Sequence, residues 1–471
     1  MKIELFHSLK VQAAISQADI DAWVSGRPPT SLAPAAASSN AALPHLAEGP
    51  NLRIVKLFSL NDYLGLSTHP AVRRAAADAA LQCGNGPRSS ALVGGYTAWH
   101  ARLEAALAEL KGTEDCLLFP TGFAANLAPQ AAQRAQPHVV ILSDELNHAS
   151  IVDGARLGRR DGARLLVYRH NDLGHLEELL QSQVPRGSRA VVITDSLFSM
   201  DGDFADLRGL AALRRRHGFL LVVDEAHATL VCGDRGGGAA EMFGVAADVD
   251  LHVGTLSKAF GCLGGFVACS RRWKQLLQNR GRAQVFSTAL PVPVVAAAHA
   301  ALQVAAEEPW RRERVWQLAR RLGRELGVPA SSPVVPLIIG PERAAVDASM
   351  VLLQRGLHVP AIRPPTVPRG TSRLRVSLSA AHSDGDLAEL VAALRACGLR
   401  FRGVDSVLGE AATAALQAGA LAAETAVAAA AVAAEGKSAV RPAAAAAAAR
   451  VDGMAGVLAA PTMGVAPLSR L

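Results

Sequence analysis

From Leu57 to about Leu399, short apolar runs alternate with segments of helical periodicity. Cys116–Phe119, Val139–Leu142, Leu165–Tyr168, Ala190–Thr194, Leu220–Val223, Leu251–Val253 and Phe266–Ala268 each read as a strand apolar on both faces. Between them, Leu103–Leu110 and Leu207–His217 place apolar residues at helical spacing. Strands without a polar face, joined by helices, predict an α/β architecture: a mostly parallel central sheet covered by helices. Ligands of such sheets sit beyond the carboxyl ends of the strands, so chemistry is sought in the polar residues that follow each run. After Val335 the texture changes. Val335–Ile339 predicts a strand, Ala344–Gln354 a helix, Arg373–Ser379 a one-sided strand and Leu387–Leu394 a final helix. The period of two sets Arg373, Arg375 and Ser377 on one face of their strand, within a smaller α+β domain. The organisation predicted is an N-terminal segment and connector (1–56), a large domain (57–300), a small C-terminal domain (301–403) and an alanine-rich tail (404–471).

Composition narrows the picture. Half of the 471 residues are hydrophobic, yet no run approaches the length of about 20 apolar residues that a membrane span needs. A soluble protein is expected, and Met1–Ile20 lacks the pattern of a secretory signal. The formal charge is +7, but the basic residues are dispersed. The one dense run, Arg214-Arg215-Arg216, falls on the polar side of an amphipathic helix, so no nucleic-acid partner is expected. The six cysteines are scattered without paired spacing, which fits a reducing compartment and offers no zinc site.

Three clusters follow strand ends. Asp224-Glu225-Ala226-His227 follows Phe219–Val223, and Gly254-Thr255-Leu256-Ser257-Lys258 follows Leu251–Val253. The third, Phe119-Pro120-Thr121-Gly122-Phe123 through Asn126, is a strand feeding a glycine turn and a helix start, which presents free N–H groups to an anion. A lysine at the tip of a buried strand, beside two hydroxyls, is hard to explain by packing. Together the clusters supply what pyridoxal 5′-phosphate requires: a lysine tether (Lys258), a carboxylate for the pyridine nitrogen (Asp224) and an anchor for the phosphate (the Gly122 turn).

With these residues in place, the chain resembles the α-oxoamine synthase family of the fold type I pyridoxal-phosphate enzymes. The likeness runs from about Leu60 to Leu399. It includes Asn61–Leu66, Gly94-Gly95-Tyr96, Asn147-His148-Ala149-Ser150, Asp195–Asp203, Asp224–His227, the Lys258 loop and Ile362–Pro368. The Arg363-Pro364-Pro365-Thr366 stretch is most similar to the plant-type 8-amino-7-oxononanoate synthase branch. The resemblance implies that Lys258 carries the cofactor and that His148 stacks on its ring. It further implies that Ser199 and His227 bond the phenolic oxygen, and that Thr255 and Ser257 lie near the phosphate. Asn61, Arg375 and Thr366 would contact substrate, and Ser287 and Thr288 would reach the cofactor phosphate of a second subunit in a homodimer. The implied reaction is decarboxylative condensation of L-alanine with pimeloyl-CoA. Two alternatives are a relative using glycine or serine with another acyl-CoA, and a non-catalytic relative. Glu225 stands where the family more often has Asp.

The tail from about Ala411 to Pro467 is dominated by alanine and lacks the large apolar residues of a core. It ends Ser469-Arg470-Leu471, a variant of the tripeptide read by a peroxisomal import receptor. A peroxisomal address is the expectation, with the cytoplasm as the alternative.

Overall fold

The predicted apolar runs pair into one seven-stranded sheet in the computed structural model, which describes residues 2–5, 10–14, 52–132, 138–160 and 162–403. In chain order the strands begin with β1 (Lys2–Leu5), β2 (Lys10–Ala14), β3 (Leu52–Leu57), β4 (Asp115–Phe119), β5 (Val139–Asp144), β6 (Arg164–Tyr168) and β7 (Arg189–Asp195). They continue with β8 (Leu220–Asp224), β9 (Leu251–Thr255), β10 (Gly265–Cys269), β11 (Val334–Gly340), β12 (Leu357–His358), β13 (Ala361–Ile362) and β14 (Ser372–Ser377). The large sheet runs β4-β10-β9-β8-β7-β5-β6. β5 to β9 pair in parallel, and β10 lies antiparallel to both of its neighbours.

The strands are apolar throughout because their alternate residues enter two different helical layers. Val191 and Ile193 pack with Ala125, Ile151 and Leu277 on one side. Val192, between them, joins Leu103, Leu107 and Leu210 on the other. Register then aligns the polar ends: Asp195 lies opposite Asp224, and Asp224 opposite Val253, two residues before Thr255. The carboxyl edge of the sheet therefore collects Asp144, Asp195, Asp224 and Thr255 in adjacent strands.

Two smaller sheets complete the described residues. β11-β14-β13 is antiparallel, and β1-β2-β3-β12 joins N-terminal strands to a later one. Strands β1 and β2 lie within the N-terminal segment expected ahead of the connector. The expected division at 300/301 falls inside the continuous helix Val292–Glu307. A second correction concerns β14, expected to be one-sided but buried at every residue. Its polar face is covered because Arg373 and Arg375 bond the chain at 199–201. Arg214, Arg215 and Arg216 are paired with Asp250, Asp248 and Glu177, so the basic run is a neutralised helix face. The connector Arg27–Pro50 and the tail 404–471 lie outside the described residues.

Candidate active site

Asp224 closes β8 and is 4% exposed. Both of its oxygens accept hydrogen bonds: Oδ2 from Asn126 Nδ2 at 2.6 Å and Oδ1 from the Ala226 N–H at 2.7 Å. Asn126 comes from the helix Gly122–Ala132 and also donates to Ser150 Oγ at 2.9 Å. Ser150 in turn bonds His148 Nδ1 at 2.7 Å, while the His148 N–H donates to Asp195 Oδ2, also at 2.7 Å. One chain of contacts thus links the ends of β8 and β7, the Gly122 helix and the His148 turn. Burial holds the His148 imidazole below its ordinary range, opposed by Asp224. Burial and the neighbouring Asp224 push the Asp195 carboxyl well up.

Lys258 is half-buried, three residues past the end of β9. Burial lowers its amine to about 8, against the pull of Asp224 and Asp195, which favour the charged form. The amine is therefore within reach of its neutral, nucleophilic form near physiological pH. Thr255 Oγ1 lies 2.7 Å from Ser257 Oγ and faces the Gly122 turn. A Cβ on Gly122 would stand 2.9 Å from Thr255 Oγ1, so glycine is what lets the helix start approach the strand end. The first N–H groups of that helix, at Gly122 and Phe123, have no acceptor within it. They lie beside two hydroxyls, an arrangement that suits a phosphate.

His227 is buried, and burial followed by the charges of Lys258 and Arg375 keeps its imidazole well below the usual range. Its Nδ1 is 2.6 Å from the Tyr63 hydroxyl. Burial raises Tyr63 to about 12, so the hydroxyl keeps its proton at neutral pH. Arg375 is 6% exposed and donates to the Ser199 carbonyl, to Ser377 Oγ at 2.9 Å and, more weakly, to Asn61 Oδ1 at 3.3 and 3.4 Å. None of these partners is a carboxylate. A buried guanidinium satisfied only by neutral oxygens keeps its charge uncompensated, an arrangement that suits an anion.

The structure therefore gathers Lys258, Asp224, His148, His227, Arg375, Asn61, Ser199, Thr255, Ser257, Gly122 and Phe123 along one edge of the large sheet. It does not add Thr366, whose N–H closes an exposed turn onto the Arg363 carbonyl at 3.0 Å. Ser287 and Thr288 lie instead in a small pocket with Tyr96, Gln284 and Pro120, and Thr288 bridges to Ser90. Sequence reading assigned no role to Tyr63, Asn126 or Asp195, although each lies in a motif that it singled out. Asn126 and Asp195 carried a usable signal, being polar residues at a strand end or the following helix start.

Glu225, beside Asp224, is engaged elsewhere. Its fully buried carboxylate accepts from Lys111 Nζ at 2.7 Å and from the Ala240 N–H at 2.9 Å, and lies 3.0 Å from His252 Nδ1. Lys111 also donates to Thr229 Oγ1 and the Gly237 carbonyl, which ties the turn after Asp224 to the helix Ala98–Lys111.

A strand-end lysine, a buried carboxylate, a histidine beside both and an anion-suited helix start are the set a pyridoxal-phosphate transferase needs, and the residues present fit that cofactor. A model of the aminotransferase class I and II family matches residues 53–394. The 8-amino-7-oxononanoate synthase of Arabidopsis thaliana is 54% identical over 355 residues, which cover 72% of this chain and 74% of that protein. The enzyme of the same name from Anaeromyxobacter dehalogenans is 49% identical over 363 residues, covering 74% of this chain and 89% of that protein. Among solved structures, a Sphingomonas wittichii serine palmitoyltransferase matches with a TM-score of 0.70 at 34% identity, covering 74% of this chain and 88% of that one. An 8-amino-7-oxononanoate synthase from Francisella tularensis matches with a TM-score of 0.61 at 25% identity, covering 72% and 96%. The chain belongs to the aminotransferase class I and II family and, within it, to the 8-amino-7-oxononanoate synthases.

Proposed function

We propose that the protein condenses L-alanine with pimeloyl-CoA, releasing CoA and carbon dioxide and forming 8-amino-7-oxononanoate for biotin synthesis. The observation that carries the reading is the 54% identity to the Arabidopsis synthase over 355 residues, 72% of this chain. In the net reaction the alanine Cα loses a proton and bonds the thioester carbonyl carbon. The C–S bond breaks, the carboxylate leaves as carbon dioxide, and Cα regains a proton. Pyridoxal phosphate, when bound, supplies the electron sink for negative charge at Cα.

The protein's own residues do the rest. Lys258, the tether, becomes the base that takes the Cα proton and returns one. Asp224 would hold the pyridine nitrogen in its protonated state. His148 would stack on the cofactor ring, while His227 and Ser199 would bond its phenolic oxygen. Burial keeps the His227 imidazole well below its usual range, and its Nδ1 pairs with the Tyr63 hydroxyl, which fixes the ring and leaves Nε2 for the cofactor. Gly122, Phe123, Thr255 and Ser257 would hold the phosphate. Arg375 and Asn61 take the amino-acid carboxylate, and Thr366, carried on an exposed turn, is assigned to substrate contact by the resemblance alone.

A second copy of the chain completes the site through Ser287 and Thr288. The exposed apolar side chains of Phe286 and of Leu92 and Val93, just beyond Ser90, support such an interface. The C-terminal Ser469-Arg470-Leu471 supports a peroxisomal address. An N-terminal fluorescent fusion, compared with one lacking those three residues, tests that address by the loss of punctate import.

The reaction is tested by product analysis with alanine, glycine and serine against pimeloyl-, acetyl- and palmitoyl-CoA. Highest kcat/KM for alanine with pimeloyl-CoA is expected. A higher value for serine with palmitoyl-CoA would move the assignment to the chemistry of the serine palmitoyltransferase neighbours.

A further inference from the structure

β14 presents two buried arginines on one face, and they are held in opposite ways. Arg373, 2% exposed, forms an ion pair with Asp201 and donates to the Met200 carbonyl at 3.1 Å. Arg375 donates to the carbonyl of Ser199 and has no carboxylate partner among the described residues. The two guanidiniums therefore grip three consecutive residues, 199 to 201, and Asp201 spends its charge on only one of them. On the far side of the same loop, Asp203 lies 2.9 Å from His170 Nε2 and accepts from Asn171 Nδ2 at 3.1 Å, so the loop is clamped from both directions.

We infer that Arg373 is a positioning residue for amino-acid recognition, which keeps the Asp201 carboxylate neutralised so that Arg375 stays free for the substrate carboxylate. This rests on Arg375 being the receptor for that carboxylate. Without Arg373, Asp201 is a largely shielded anion without its ion-pair partner, two residues from the Ser199 carbonyl that Arg375 holds, and Arg375 has no carboxylate partner of its own among the described residues. Asp201 would then compete with, or repel, the incoming carboxylate. The role is one of charge as well as shape, which sets it apart from a packing residue.

A charge cycle on the pyridoxal-phosphate-loaded enzyme, without acyl-CoA, tests this. The Kd for L-alanine is read from the cofactor absorbance change for wild type, R373Q, D201N and the double variant D201N/R373Q. Loss of one partner of this largely shielded pair predicts that R373Q weakens alanine binding by roughly tenfold or more. The double variant, with no unpaired charge, is expected to return most of the way to wild type, and D201N alone should not weaken binding. R373K, which keeps the charge, should lie nearer to wild type than R373Q. In turnover, R373Q should raise the KM for alanine and leave that for the acyl-CoA nearly unchanged. An alanine Kd for R373Q equal to wild type, or a double variant as weak as R373Q, overturns the inference. If R373Q does not fold, D201N and the double variant decide it, and weakened binding in either contradicts it. Failure of the wild type to make product from pimeloyl-CoA would refute the proposed reaction, while the binding cycle would still stand or fall by its own result.

Discussion

Replacing Lys111 by Met should destabilise the protein by removing the counter-ion of a fully buried carboxylate. Burial opposes ionisation of Glu225, but the Lys111 charge and then His252 bring its pKa down from 4.5 to about 2. That difference corresponds to about 3 kcal/mol of stability at neutral pH, within the range of about 3–5 kcal/mol for breaking a buried pair from one side. Lys111 also satisfies Thr229 and the Gly237 carbonyl, so its loss leaves further acceptors unpaired. For an m-value of roughly 3 kcal/mol/M, the urea midpoint of K111M should fall by about 1 M, with cofactor and protein concentrations held fixed. K111M/E225Q removes both charges and should recover at least half of that loss. Because the folded pKa of Glu225 is depressed, its contribution is complete above pH 4.5 and disappears as pH falls through about 2. The wild-type midpoint should therefore drop across that window more steeply than that of the double variant. A K111M midpoint equal to wild type, or a double variant no better than K111M, would refute the reasoning.

Asp224→Asn should keep the fold and lose at least about 100-fold in kcat, measured at saturating cofactor. Both Asp224 oxygens accept hydrogen bonds from N–H donors, so an amide must turn its own NH2 against Asn126 or Ala226. Near-wild-type turnover would contradict the role of the carboxylate. In the cofactor-free protein, the rate of pyridoxal-phosphate uptake should rise with pH and reach half its plateau near pH 8, where Lys258 loses its proton. Stopped-flow absorbance checks this, and a midpoint above pH 10 would count against a desolvated lysine.

The large sheet was legible because burial on both faces demands unbroken apolar runs. Asp224 and Thr255, the strand-end residues of its site, stood out as the first polar residues after such runs. What joins them was not legible. Asn126 reaches Asp224 across 98 residues of sequence, Tyr63 reaches His227 across 164, and Arg373 reaches the Met200 carbonyl across 173. No local pattern encodes contacts at those separations. β14 illustrates the same limit. Its alternation of Arg and apolar residues is what a half-exposed strand looks like. Only the pairing of Arg373 with Asp201 reveals that its polar face is covered. Strands β1 and β2 escaped because, among the described residues, β1 pairs only with β2, and the pairing of β2 with β3 spans the Pro- and Ala-rich stretch that read as connector.

The assignment of Lys258 as the covalent tether underlies the role of every other residue in the site, and reductive trapping tests it most directly. Borohydride treatment of the loaded, yellow enzyme, followed by proteolysis and mass spectrometry, should place a single pyridoxyl group on Lys258. Lys258→Ala should bind the cofactor without trapping it. A pyridoxyl group mapped to any other lysine, or trapping that persists in K258A, would contradict the assignment.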